Sequence, residues 1–206
     1  RIHAHAAPAF ADPDAALAKL QETVLSKGPS GEDPSPASDV VLSDEELAKI
    51  KEMGATAAIV MHYGGNDWSQ AQINGLQTQF GAMGIEVIAV TDAGFKPEKQ
   101  VSDLETIMAQ SPDIIVSIPT DPTATAAAYR AAAEAGAKLV FMDNVPAGFV
   151  PGTDYVSVVS ADNYGNGVAA AHLMAKALGP DGGEIGLVFH AADFFVTKQR
   201  YDGFKA

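Results

Sequence analysis

Short apolar blocks alternate with segments of helical period from Ala57 to Met142, and few folds satisfy that order. Ala57-Ala-Ile-Val-Met61 is an apolar run that stops at Gly64-Gly65, and from Ser69 the apolar residues Ile73, Leu76, Phe80 and Met83 recur at the spacing of one helix face. Gly84 then supplies a left-handed stop. The pattern repeats with a strand over Glu86–Thr91 and a helix from Pro97 bearing Val101, Leu104, Ile107 and Met108. A third strand spans Asp113–Ile118. An alanine-rich helix running to Gly136 and a strand over Lys138–Met142 follow, and Leu139-Val-Phe-Met142 demands cover on both faces. Strands joined through helices are parallel, with right-handed crossovers, so the expectation is a doubly wound α/β sheet in the order 2-1-3-4-5.

The flanks read differently. Asp12-Pro13 starts a helix whose stripe would be Leu17, Leu20 and Val24, ending at Gly28. Gly28 to Pro36 is rich in turn formers and reads as a mobile surface loop, and Ser43-Asp-Glu-Glu46 is a capping box for a helix ending at Gly54. After Met142 comes an irregular Asp143–Thr153, a strand over Tyr155–Val159, a helix from about Tyr164 to Leu178, a glycine-rich turn, a strand over Glu184–Phe189 and a last helix. The expected divisions are a helical extension (1–54), a first α/β lobe (55–161) and the beginning of a second (162–206).

Composition removes several functions. With 26 acidic and 13 basic residues among 206, the net charge of −13 disfavours nucleic acid and anionic membrane. There is no cysteine, hence no thiolate or disulfide chemistry. No apolar run reaches the ~18 residues of a membrane span. The chain begins at Arg1 without methionine, and Ala9-Phe10-Ala11 has the small-x-small form of a signal-peptidase site without the regions that should precede it, so a processed or trimmed start is expected. His3 and His5 lack a third metal ligand. No Gly-x-Ser-x-Gly elbow, phosphate loop or His pair at metal spacing is present, so neither an enzyme nor a cofactor is expected. Gly165-Asn-Gly167-Val-Ala-Ala170 has the form of a dinucleotide fingerprint, but it lies late in the chain and the next strand ends at Phe189-His190 without an acidic residue. Close helix packing explains it better. His62, His172 and His190 read as structural.

Asp67, Asp121, Asp143 and Asp162 each follow a predicted strand, and Asn66, Trp68 and Asn144 lie beside two of them. Parallel strands bring such positions to one rim, where ligands bind. Helix capping accounts for Asp121 and Asp162 equally well, and Asp67 has the place of an N-cap. Trp68 is harder to explain by structure alone, since an aromatic at a loop tip has no core to fill.

The run Ala57–Trp68, Ile118-Pro-Thr-Asp121, Val140-Phe-Met-Asp143, Ser160-Ala-Asp-Asn163 and Arg200-Tyr-Asp-Gly-Phe204 occur in the order seen in ribose-type sugar-binding proteins, the type I periplasmic receptors of ABC importers. From Ala55 to Ala206 the chain resembles that family. The resemblance implies two α/β lobes closing on a sugar, with an aromatic on the ring and Asp, Asn and Arg on the hydroxyls. By position it assigns Asn66 and Trp68 to the first-strand loop, Asp143 to the fourth and Arg200 to the second lobe. The family commonly has Arg after the fourth-strand Asp, whereas Asn144 stands here, which removes a fork of donors and turns the expectation from ribose to a polyol, a hexose or an amino sugar. It also implies an extracytoplasmic, monomeric receptor serving a membrane permease, with most of the second lobe beyond these residues. The alternative is the effector domain of a regulator of the same fold, against which residues 1–54 count five basic and ten acidic side chains.

Overall fold

The computed structural model describes residues 12–190 and 194–206, so His3, His5 and Ala9-Phe10-Ala11 lie outside the described residues. The chain divides into two compact units, one of residues 28–160 and one in which the residues up to 27 join 161–206. These divisions differ from the ones expected at 54/55 and 161/162, because the first helix and the segment after it pack with the C-terminal residues. Numbered along the chain, α1 (Pro13–Leu20) belongs to that second unit.

The unit of residues 28–160 contains α2 (Asp44–Met53), β1 (Thr56–Met61), α3 (Asp67–Ala82), β2 (Glu86–Asp92), α4 (Pro97–Met108), β3 (Ile114–Ser117), α5 (Ala126–Glu134), β4 (Lys138–Met142) and β5 (Ser157–Val159). The strands form one parallel sheet in the order β2-β1-β3-β4-β5, the expected winding. Ala57 to Met61 are fully buried, and alternation explains the unbroken apolar run. Ala58 and Val60 face Leu104, Ile107 and Tyr129 of α4 and α5 with Ile115, Leu139 and Phe141. Ile59 and Met61 face Ile73, Leu76 and Phe80 of α3 with Val116, Ile118 and Met142. The capping box forms as read: Glu46 N–H donates to the Ser43 hydroxyl and Ser43 N–H to the Glu46 carboxylate, and Gly54 closes α2 at a φ of 59°. The turn-rich segment after residue 27 is an internally bonded turn, with Gly28 N–H on the Glu32 carbonyl at 2.8 Å and Ser30 N–H on the Glu32 carboxylate at 2.8 Å.

The second unit holds α1, an extended segment to residue 27, α6 (Asn163–Leu178) and α7 (Phe195–Lys205). Two sequence readings are corrected here. The first helix stops at Leu20 rather than Gly28, and Val24 is exposed, because Leu25 and Ser26 give their N–H groups to the Asp162 carboxylate rather than to a continued helix. Glu184–Phe189 is not a strand: among the described residues no neighbouring strand offers it a backbone, and Ile185, Leu187, Val188 and Phe189 are exposed. The Gly165-x-Gly167 run is a packing device. A side chain at Gly167 would meet the α7 backbone at Arg200 and Phe204, and one at Gly203 would meet that of Tyr164. Gly167→Ala is therefore expected to cost about 1–3 kcal/mol by overpacking, read as a lower urea midpoint for the helical signal of this unit.

Candidate functional site

Parallel pairing carries the ends of β1, β2, β3 and β4 to one edge of the sheet, and four loops leave there. The first, His62 to Asn66, is held by Gln70, whose Nε2 donates to the Gly64 carbonyl at 2.7 Å. Asn66, rather than Asp67, is the N-cap of α3, its Oδ1 accepting from Ser69 N–H at 2.8 Å. Its amide nitrogen remains a donor, and Asp67 is exposed at the first helical position. Trp68 is 47% exposed and meets the His62 ring edge-on at a centroid distance of 6.4 Å, so it is not a core residue.

The second loop adds residues that sequence reasoning did not select. Asp92 ends β2 and takes the Gly94 N–H at 2.8 Å, which turns the chain through left-handed Gly94 and Phe95. Phe95 N–H donates to the His62 carbonyl at 2.8 Å, joining the two loops. Its ring stacks on Tyr63 at 4.8 Å and meets His62 edge-on at 5.0 Å. Trp68, His62, Phe95 and Tyr63 thus form a linked aromatic surface. The signal available in the sequence was Asp92 itself, directly after its predicted strand as Asp143 is after its own. Burial draws the His62 imidazole below the ordinary histidine range, opposed by Asp143 and then Asp92, so the ring is neutral at neutral pH.

The third loop is anchored from beneath by fully buried Gln100 on α4. Its Nε2 donates to the Ile118 carbonyl at 2.9 Å, and its Oε1 accepts from Thr120 N–H at 2.8 Å. Asp121 there caps a turn, accepting from Thr123 and Ala124 N–H at 2.8 and 2.7 Å. In the fourth loop Asp143 adopts a φ of 61°, uncommon without glycine but tolerated best by Asp and Asn. Its Oδ1 accepts from the Ser160 hydroxyl at 2.7 Å, and its N–H donates to Val159 at 2.9 Å. Asn144 is buried.

Six of the eight candidates, Asn66, Asp67, Trp68, Asp121, Asp143 and Asn144, therefore belong to loops at one sheet edge. The remaining two lie in the other unit. Arg200 donates from Nε to Asn163 Oδ1 at 2.8 Å. Asp162 is the N-cap of α6, accepting from Gly165 N–H at 2.9 Å, from Leu25 and Ser26 N–H at 2.9 Å each and from the Ser26 hydroxyl at 2.8 Å. Burial alone would raise its carboxyl, but these bonds outweigh burial and hold it below the usual carboxylate range. A depressed value means that its stabilisation is present above the ordinary carboxylate range and is lost as pH falls through the lowered one. Asp162→Asn should accordingly reduce the loss of thermal stability seen below about pH 4.

The periplasmic binding protein domain model matches residues 57–206. Among solved structures, an ABC transporter solute binding protein from Mycobacterium smegmatis with bound glycerol is 25% identical with a TM-score of 0.67, over 74% of this chain and 51% of that one. An ABC sugar transporter subunit from Rhodobacter sphaeroides is 27% identical with a TM-score of 0.64, over 74% and 51%. An ABC transporter solute binding protein from Agrobacterium vitis bound with α-D-tagatopyranose is 27% identical with a TM-score of 0.65, over 73% and 52%. This chain spans about half the length of those structures. No curated protein matches it.

Proposed function

This chain belongs to the periplasmic binding protein domain family, and from that premise we propose that the whole protein is a non-catalytic, extracytoplasmic receptor that captures a sugar or polyol and passes it to the permease of an ABC importer. The observation that carries the proposal is the half-exposed Trp68 on the same sheet edge as Asp143, beside an aromatic surface with no core to fill. A sugar ring offers C–H faces to such rings and hydroxyl donors to carboxylates, so the residue types suit the ligand chemistry. The ligands named for the matched structures, glycerol and a tagatopyranose, are of that chemistry. We place Trp68, Asn66, Asp67, Asp92, Phe95, Asp121 and Asp143 around the ligand, with neutral His62 able to donate or accept. Buried Asn144 and the capping Asp162 support the loops instead. Residues 161–206 are read as the start of a second, similar lobe, from which Arg200 is retained as a ligand candidate.

A regulator's effector domain finds no support, since the three structures reported above are all transporter proteins. The test is a titration of the whole protein with neutral sugars, polyols and amino sugars, followed by the emission of Trp68, the one tryptophan of these 206 residues, and by calorimetry. At least one member should bind and shift the emission. Trp68→Ala should weaken that ligand about tenfold or more, the loss of stacking worth on the order of 1 kcal/mol. A panel without any binder would remove the receptor reading, and unchanged affinity in Trp68→Ala would remove the stacking role alone.

A further inference from the structure

Where glycine follows Asp or Asn, its unhindered backbone nitrogen can reach the carbonyl carbon of the preceding side chain and close a ring. Four such pairs occur among these 206 residues: Asn74-Gly75, Asn166-Gly167, Asp181-Gly182 and Asp202-Gly203. The fold treats them unequally. Asn74-Gly75 lies inside α3, Asn166-Gly167 inside α6 and Asp202-Gly203 inside α7, whereas Asp181-Gly182 stands in the turn after α6. In a helix, a ψ of about −42° and the bond from each N–H to the carbonyl four residues back hold the nitrogen away from that side chain. Asp202 is restrained further, because Gly203 is buried and any side chain there would overlap the Tyr164 carbonyl, so its backbone has no room to move.

Asp181 has none of these restraints. It is exposed, and among the described residues its carboxylate has no hydrogen-bond or ion-pair partner. The turn is closed by a bond from Gly182 N–H to the Gly179 carbonyl at 3.2 Å, at the long end of the usual range. Gly179 and Gly182 flank Asp181 in left-handed backbone, at φ of 76° and 67°, so nothing bulky stands beside the carboxyl on the glycine side. Of the four pairs, this one alone combines an accessible carbonyl carbon with a nitrogen outside a helical ladder.

We propose that Asp181 is a modification site, where the folded protein converts aspartate to isoaspartate unaided and so creates an acceptor for an isoaspartyl carboxyl methyltransferase. The Gly182 nitrogen gives up its proton and attacks Cγ of the protonated Asp181 carboxyl. The C–N bond forms, the C–OH bond breaks, and hydroxide takes up that proton and leaves as water. The product is a five-membered succinimide. Water then adds to one of its carbonyls: opening at Cγ restores aspartate, and opening at the backbone carbonyl leaves the chain running through Cβ and frees an α-carboxylate. One water is lost and one regained, so mass and net charge are unchanged. The freed carboxylate attacks the methyl group of a sulfonium donor, the O–C bond forming as the C–S bond breaks and the thioether leaves. This site is independent of the receptor reading, and a sugar panel without binders leaves it intact.

The test holds the whole protein near neutral pH and physiological temperature in heavy-oxygen water, then maps its peptides, since each passage through the succinimide inserts one solvent oxygen. Asp202 is the internal comparison, because it presents the same dipeptide. The Asp181 peptide should gain heavy oxygen about tenfold or more faster than the Asp202 peptide, which reacts only in the fraction of molecules whose α7 is open there. In urea the two rates should converge. The labelled Asp181 peptide should also accept methyl from S-adenosylmethionine in the presence of an isoaspartyl methyltransferase, and Asp181→Glu, whose ring would be six-membered and slow to close, should abolish both signals. Absence of label at Asp181 would overturn the site, and equal uptake at Asp181 and Asp202 in the folded protein would overturn the part assigned to the turn. Label without methyl acceptance would overturn the acceptor.

Discussion

Replacing Asp143 by alanine is expected to weaken ligand binding by roughly ten- to a hundredfold, the loss of about 1–3 kcal/mol that follows from deleting one partner of a buried polar contact, and also to lower the unfolding midpoint, because alanine tolerates the left-handed backbone less well than Asp. Backbone geometry supports the assignment. Asp143 keeps a left-handed φ of 61°, and such a conformation in a residue other than glycine costs on the order of 1–3 kcal/mol unless its surroundings hold it. The bond from its N–H to Val159 and the Ser160 hydroxyl on its Oδ1 do so here, and leave the second carboxylate oxygen to accept from a ligand hydroxyl. Asp143→Asn should lie between parent and alanine, since Asn keeps one acceptor and tolerates the same φ. Calorimetry on the whole protein checks the series. Equal affinity across it would remove Asp143 from the binding set while leaving Trp68 untouched.

Phe141→Ala is expected to have the largest effect on stability, about 3–5 kcal/mol. The ring is fully buried and meets Tyr129, Phe149 and Tyr155 edge-on at 5.2, 6.1 and 5.6 Å, so truncation opens a cavity that three rigid rings close poorly. Trp68 lies in the same unit and is the only tryptophan, which makes its emission a selective reporter of this unit in urea. The consequence extends to function. Phe141 stands two residues before Asp143, so loosening β4 should also weaken the ligand. A loss below about 1 kcal/mol would show that another residue centres this core.

Much of the sheet lobe was legible because its signals are local and redundant. The unbroken apolar Ala57–Met61 requires two covered faces, and Ile73, Leu76 and Phe80 supply one of them. Gly54 and Gly84 end their helices at positive φ, as glycine alone does freely. The candidate rim was legible in outline, since the ends of parallel strands share an edge whatever their loops contain. Asp92 and Phe95 were missed because their placement depends on a bond from Phe95 N–H to the His62 carbonyl, between loops thirty-three residues apart.

What the sequence by itself determined is the winding of the sheet, the helices that cover it and the edge at which polar side chains gather, all consequences of periodicity and chirality acting over short stretches. Tertiary structure alone decided what each of those side chains does. Asp67, Asp121, Asp143 and Asp162 looked equivalent in the chain, yet one is exposed beside Trp68, one caps a turn, one stands in a left-handed backbone facing Ser160 and one receives two N–H groups from Leu25 and Ser26. A carboxylate has acceptor positions to fill; the donors of Asp121 are its own neighbours, whereas those that single out Asp143 and Asp162 come from chain segments distant in sequence. The same reason cost the segment Glu184–Phe189 its strand: a local pattern proposes an element, but a strand forms only where another backbone supplies its hydrogen bonds.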